Sequence, residues 1–157
     1  MKSYITLFFL VCGLISNAQT KKNSISIYTD IELESENFTY YGLSYERKIS
    51  SNHGLNIYTG ISKQQNISLG VEYAYNRKIL ANYLSFMLGG GVGMEHHSNE
   101  SILGTKNYLL FRPFLGLNFN IPKTNFELFS AYKPKFDLKK FDTFDVSSML
   151  FGLKYNL

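Results

Sequence analysis

Apolar and polar residues alternate along nearly the whole chain beyond residue 19, and this period of two restricts the possible folds more than any other feature. Successive side chains of a β-strand point to opposite faces of a sheet, so the alternation predicts strands with one apolar and one polar face. Turn-like stretches divide the pattern into eight segments. Their approximate bounds are 24–34, 39–48, 55–62, 67–76, 83–95, 107–120, 126–133 and 146–157.

The number and the length of these segments favour closure into a barrel. An even number of strands, each about 8 to 14 residues long, suits antiparallel strands that cross an outer membrane at a tilt. A closed sheet also leaves no unpaired edge. We therefore predict an all-β fold, an eight-stranded antiparallel up-and-down transmembrane β-barrel, as a single domain over residues 19–157.

The polar faces of the segments indicate which face of the sheet lies inside the barrel. Alternation alone would equally fit an exported soluble ligand-binding barrel, whose apolar faces point inward. The polar faces, however, carry charged groups that can pair across a narrow interior, and the apolar faces carry Tyr and Phe near their ends, as expected at the headgroup level. The charged groups are Glu46, Glu72, Glu95, Arg112, Glu127 and Lys154. Tryptophan is absent, so tyrosine must supply the aromatic girdle.

The N-terminus has the features of a secretory signal peptide. Met1-Lys2 gives a positive start, residues 5–15 are apolar, and Ser16-Asn17-Ala18 ends the stretch with small residues. The apolar run is shorter than the roughly 20 residues that a membrane-spanning helix needs. We predict a cleaved signal over residues 1–18, which takes the single cysteine, Cys12, with it and leaves the mature chain without a thiol.

Two local features of the predicted strands concern the backbone. The glycines within residues 89–93 relieve crowding inside a narrow barrel, and no helix pattern follows them that would make a phosphate-binding loop. Pro113 lacks an amide donor, so we expect a local defect in the hydrogen-bond ladder there.

The direction of the chain predicts where the connections lie. We expect both termini on the periplasmic side and the two long loops, 95–106 and 134–145, outside the cell. The interior of an eight-stranded barrel is normally filled, so a diffusion pore is not expected. The net charge of +4 is too dispersed to indicate nucleic acid. The expected partners are outer-membrane lipid and lipopolysaccharide, with envelope proteins reached through the two long loops.

The string Glu95-His96-His97-Ser98-Asn99-Glu100 is the best candidate for chemistry, because an imidazole beside a hydroxyl can act as base and nucleophile. His96-x-Ser98-Asn99 resembles the His-x-Ser-Asn motif of lipid A 3-O-deacylases, which are eight-stranded outer-membrane esterases. That family has a carboxylate about a dozen residues later, where this chain has Leu110. Adjacent histidines seldom point at one metal ion, and no spaced third ligand is evident. A solvated loop is the alternative, and we assign no catalytic, metal or cofactor residue.

Lysines and phenylalanines are mixed over residues 133–142. The phenylalanines, Phe136 and Phe141, could anchor a partner there, while the lysines, Lys133, Lys135, Lys139 and Lys140, could meet phosphates of lipopolysaccharide. The alternative, which we favour, is a solvated loop at the rim.

The chain as a whole resembles small outer-membrane barrel proteins of Bacteroidota. Their signals often end as Asn17-Ala18-Gln19 does here, and their last strands resemble residues 152–157. Among them it resembles the conjugal-transfer TraO family, through Gly93-x-Glu95 followed by Asn99 and through a Gly-Leu-Lys-x-Asn ending. This resemblance implies a structural part in DNA-transfer machinery at the envelope.

Eight alternating segments without a complete catalytic set favour a non-enzymatic integral outer-membrane barrel with a structural or surface-interaction role. On the resemblance just described, that role belongs to a conjugation apparatus. Two alternatives stay open at this point: an esterase that uses His96 and Ser98, and the exported soluble barrel.

Overall fold

The computed structural model describes residues 23–33, 39–80, 83–97, 106–139 and 146–157. Among these residues, no helix is long and apolar enough to cross a bilayer. The strands are β1 (Asn23–Glu32), β2 (Thr39–Lys48), β3 (His53–Ser62), β4 (Ile67–Leu80), β5 (Leu84–His97), β6 (Lys106–Asn120), β7 (Phe126–Tyr132), β8 (Phe136–Asp137) and β9 (Ser148–Asn156).

The strands pair into one closed antiparallel sheet. Neighbours in the chain pair from β1 to β7, β7 also pairs with β9, and the pairing of β9 with β1 completes the ring. The two-residue strand β8 continues the register of β7 along β6, so both occupy a single position in the barrel. The predicted eight-stranded antiparallel barrel is therefore confirmed.

Adjacent strands are staggered, as closure of a tilted sheet requires. Following paired residues once around the barrel from Asn23 returns to β1 at Leu33, ten residues further along. The rise is thus a little more than one residue for each strand crossed. This stagger decides which residues of neighbouring strands lie at the same level.

The expected ladder defect at Pro113 is present, and a second proline accounts for its extent. Pairing of β6 with β7 stops at Leu115, and pairing with β8 resumes at Phe111. The shared register places Pro134 opposite Pro113, so neither residue of this pair has an amide hydrogen to donate. The break between β7 and β8 follows from this meeting of two prolines.

The barrel is apolar outside and polar inside. On β3, Ile57 is 59% exposed while its neighbour Tyr58 is 3% exposed. All Asp and Glu side chains of the described residues face inward: Asp30, Glu32, Glu46, Glu72, Glu95, Glu127 and Asp137. The soluble ligand-binding alternative is wrong, because it requires the apolar faces to point inward.

Several predicted bounds shift. β4 extends to Leu80 and β5 to His97, so the predicted loop 95–106 shrinks to residues 98–105. The predicted loop 134–145 contains β8 at its start. The predicted signal over residues 1–18 lies outside the described residues.

Candidate functional site in the barrel interior and at its outer rim

A layer of inward-pointing aromatic rings crosses the middle of the barrel. It consists of Tyr28, Tyr58, Phe114 and Phe129, each at most 9% exposed. Every ring has glycine as a cross-strand partner: Gly42 and Gly152 for Tyr28, Gly70 for Tyr58, Gly89 for Phe114, and Gly152 again for Phe129. The glycines leave the space that large rings need inside so narrow a barrel.

Gly93 shows how tight this arrangement is. A Cβ atom at this position would collide with the hydroxyl of Tyr58, and one at Gly70 would meet the same side chain. Gly70 and Gly93 therefore provide the space that the Tyr58 side chain occupies. The sequence prediction that glycines relieve interior crowding is confirmed.

Arg112 is the centre of an ion-pair cluster on the side of the layer nearer to the 98–105 connection. Its guanidinium pairs with Asp30 and lies 3.8 Å from Glu95 Oε1. It also donates hydrogen bonds to the hydroxyls of Tyr58 and Ser68 at 3.0 and 3.2 Å. Because Arg112 is only 1% exposed, these contacts replace its hydration shell.

Lys133 and Lys135 complete this outer cluster. Lys135 Nζ lies 2.6 Å from Glu32 Oε1 and 2.8 Å from Glu95 Oε1, while Lys133 pairs with Glu72. Both lysines are 2% exposed. Lys133 was placed on the polar face of the seventh segment, and it does face inward. The expectation of a solvated rim loop from Lys133 onward is wrong for both lysines, because the inward face of β7 continues through them to Asp137.

A second group of polar contacts lies on the other side of the aromatic layer. Lys154 Nζ pairs with Glu46 Oε2 at 2.5 Å, and Asn118 donates to Asn76 at 2.8 Å. The predicted interior residues Glu46, Glu72, Glu95, Arg112 and Lys154 are all buried, and Glu127 is half-buried. The predicted pairing of charges across the interior is confirmed.

Little free volume remains between the two polar groups. A cavity of about 40 Å³ lies beside the aromatic layer, lined among others by Tyr58, Met87, Phe114 and Lys133. A cavity of this size accommodates isolated water molecules and no organic ligand. Side chains therefore fill most of the interior that the described residues enclose.

The histidines of the predicted motif point to opposite faces of β5. His96 faces outward, and its Nδ1 lies 2.7 Å from the Asn107 side-chain oxygen on β6. His97 faces inward, where its Nε2 lies 3.3 Å from both Tyr40 Oη and Glu95 Oε2. Strand alternation thus separates the two imidazoles.

The other parts of the motif are only partly described by the structure. Ser98 and Asn99 lie outside the described residues. Leu110, at the position that corresponds to the carboxylate of the deacylases, is an inward-facing residue of β6 with 5% exposure. Within the described ranges, no three His, Cys, Asp or Glu side chains converge in a way that could hold a metal ion.

The ion pairs of Asp30, Glu32, Lys133 and Lys135 in the interior were not predicted from the sequence. Asp30 and Glu32 stood on the polar face of the first segment without an assigned function. For the lysines a signal was present, because Phe129, Ala131, Lys133, Lys135 and Asp137 keep the period of two beyond the predicted strand end at residue 133.

Comparison with known proteins identifies the fold. No protein-family model and no curated protein matches the chain. The N-terminal β-barrel domain of Pseudomonas aeruginosa OprF is 13% identical, with a TM-score of 0.74 over 87% of this chain and 97% of that one. Neisserial surface protein A is 8% identical, with a TM-score of 0.60 over 87% of this chain and 97% of that one.

The Yersinia pestis protein Ail, named attachment invasion locus protein, is a further structural neighbour. In complex with the heparin analogue sucrose octasulfate, it is 19% identical, with a TM-score of 0.55 over 87% of this chain and 99% of that one. The chain thus has the fold of small outer-membrane β-barrels. The resemblances to the TraO family and to the deacylases stay predictions.

Proposed function

We propose that this protein is a closed, non-enzymatic barrel of the bacterial outer membrane that acts through contacts made by its outer connections. One observation carries the proposal: the outside of the sheet is apolar while the inside is filled by paired charges. Such a surface is stable against lipid hydrocarbon and would be exposed at great cost in water.

The lengths of the connections support an orientation. Residues 49–52, 81–83 and 121–125 are short links at the end where the described chain starts and finishes. The opposite end carries the longer connections 33–38, 98–105 and 138–147. Outer-membrane barrels have short periplasmic turns and longer outer loops, so we assign the long connections to the cell surface.

The proposed partners are the molecules found at that surface. Outer-membrane lipid and lipopolysaccharide surround the barrel, and envelope proteins are within reach of residues 98–105 and 138–147. Since the packed interior offers no passage for a solute, the outer connections are the part of the chain best placed for specific contacts.

Cysteine labelling tests both location and orientation, because residues 19–157, the predicted mature chain, contain no cysteine. Gln64→Cys lies in the exposed β3–β4 turn and Ser51→Cys in the exposed β2–β3 turn. On intact cells a membrane-impermeant maleimide should label Gln64→Cys and spare Ser51→Cys, and lysis should expose both. Equal labelling of the two on intact cells, or recovery of the protein without detergent, would overturn the proposal.

A part in conjugation is the finer form of this proposal, and it is supported by the TraO resemblance alone. Deletion of the gene from a donor strain should lower the frequency of plasmid transfer, and the wild-type gene should restore it. A complementing gene in which a Gly-Ser linker replaces residues 98–105 should not restore the transfer frequency. Unchanged transfer after deletion would remove the conjugation role and leave the barrel assignment intact.

A further inference from the structure

Basic side chains are concentrated around the turn between β2 and β3. β2 ends in Arg47-Lys48, β4 carries Arg77-Lys78 close to its end, and His53 starts β3 between them. Alternation directs Arg47 and Arg77 to the outer, lipid-facing side of the sheet. Lys48 and Lys78 line the mouth of the barrel at this end.

The stagger of the strands brings the three outward basic residues to a common level. Each strand crossed shifts the paired position by a little more than one residue along the barrel axis. His53 pairs with Tyr75, which lies two residues before Arg77 on β4. With this stagger included, Arg47, His53 and Arg77 lie within about two residues of one level, or roughly 6 Å. Because β3 alone separates β2 from β4, Arg47 and Arg77 are roughly 10 Å apart sideways.

Two tyrosines frame the basic residues on their apolar side. The ring of His53 is hydrogen-bonded to the Tyr73 hydroxyl and lies 5.1 Å from the ring of Tyr75. Tyr73 is 44% exposed on the outer face. Amphipathic rings of this kind settle at the boundary between hydrocarbon and headgroups. This places Arg47 and Arg77 among the headgroups.

No acidic side chain of the described residues shares this outer face, because all their Asp and Glu side chains point into the barrel. Glu46, the acid next to Arg47 in sequence, is buried in its pair with Lys154. The charged side chains that the described residues present on this face are therefore all basic. Their complement is an anion held at the headgroup level.

We propose that the surface formed by Arg47, His53, Tyr73, Tyr75 and Arg77 binds the phosphate-bearing headgroup of an anionic glycerophospholipid. In this arrangement the two guanidiniums hold the phosphate from either side of β3. The tyrosines pack beside the glycerol and the first acyl carbons. The inference rests on the proposed membrane location and orientation, which make this end periplasmic.

Lipid retention by the purified full mature barrel tests the proposal. The protein is stripped of lipid in neutral detergent and titrated with phosphatidylglycerol or phosphatidylcholine, and the bound lipid is counted by native mass spectrometry. We expect phosphatidylglycerol to be retained preferentially and to dissociate as salt is raised. Arg47→Gln with Arg77→Gln should weaken its retention roughly 25-fold, at about fivefold per cation.

A matched double variant separates this surface from general charge. Lys63→Gln with Lys123→Gln also removes two exposed cations, from turns at other places on the barrel, and should leave retention unchanged. Equal retention of the two lipids, or an equal effect of the two double variants, overturns the proposal. So does full competition by soluble glycerol phosphate or polyglutamate, which would indicate a site for free anions or acidic protein segments.

Failure of this inference can be told apart from failure of the proposed function. Heat-modifiable gel mobility of every variant reports whether the barrel has folded, and Arg77→Gln alone serves where the double variant does not fold. A folded, membrane-embedded barrel without lipid preference rejects this inference only. A protein that needs no membrane rejects the proposed function as well.

Discussion

The ammonium nitrogen of Lys135 lies 2.8 Å from Oε1 of Glu95, a residue 40 positions earlier in the chain. The same ammonium lies 2.6 Å from Glu32 Oε1 and 4.7 Å from the centre of the Tyr40 ring. One lysine thus joins β1, β2 and β5 from the segment between β7 and β8. Because all the partners are buried, each charge depends on the others for its stability.

Lys135→Met should destabilise the barrel strongly, because it leaves Glu32 and Glu95 competing for fewer positive charges. Removing one member of a buried ion pair costs about 3–5 kcal/mol. Unfolding by urea in lipid vesicles, followed by heat-modifiable gel mobility, measures this loss. Lys139→Met, which removes an exposed lysine nearby, should change the unfolding free energy by less than about 0.5 kcal/mol. If the two variants unfold alike, the interior ion pairs contribute nothing to stability.

Gly93→Ala should also be destabilising, by about 1–3 kcal/mol, since the added methyl group meets the Tyr58 hydroxyl. Tyr58→Phe removes that hydroxyl together with its hydrogen bond from Arg112. The double variant should therefore be more stable than the sum of the two single losses predicts, which a double-mutant cycle measures. Strict additivity would show that Gly93 and Tyr58 are not coupled.

The period of two was enough to predict the barrel because each face of a transmembrane strand has a uniform environment. Inward Glu46 and outward Ile57, for instance, follow from alternation alone. It was not enough to predict β8, because Pro134 and the nearby lysines look like a loop in the sequence. The structure shows that Pro134 meets Pro113, so the ladder is broken there while the alternation of side chains continues.

The partners of the interior charges could not be predicted from the sequence. Arg112 and Asp30 are brought together by closure of the sheet and by its stagger, and neither can be read from the local pattern. The conformation of the connection 98–105 could not be predicted either, because its residues follow no period of two. The sequence therefore predicts which residues face inward better than it predicts which residues they pair with.

A charge on the lipid-facing surface should be tolerated only near its ends. Leu43, which is 56% exposed, lies in the middle of the apolar belt, and Leu43→Arg should cost about 2–4 kcal/mol. Ile49→Arg, just beyond the end of β2 at the headgroup level, should cost about 0–1 kcal/mol. Folding yields into vesicles at increasing urea concentrations measure both values. A neutral or more soluble Leu43→Arg variant would contradict a membrane position for this face.

The aromatic layer should keep the barrel closed to ions. The wild-type protein in a planar bilayer is expected to show no steady conductance, because Tyr58 and Phe129 fill the interior beside the cavity of about 40 Å³. Replacing both by alanine enlarges that cavity and also removes the ring above Lys133, whose Nζ lies 4.5 Å from the centre of Tyr58. We expect brief openings of this variant that the wild type lacks. Alanine at both Tyr45 and Phe151, whose rings face outward, should leave the barrel closed. Steady conductance of the wild type, or equally frequent openings of the two double variants, would contradict a packed interior.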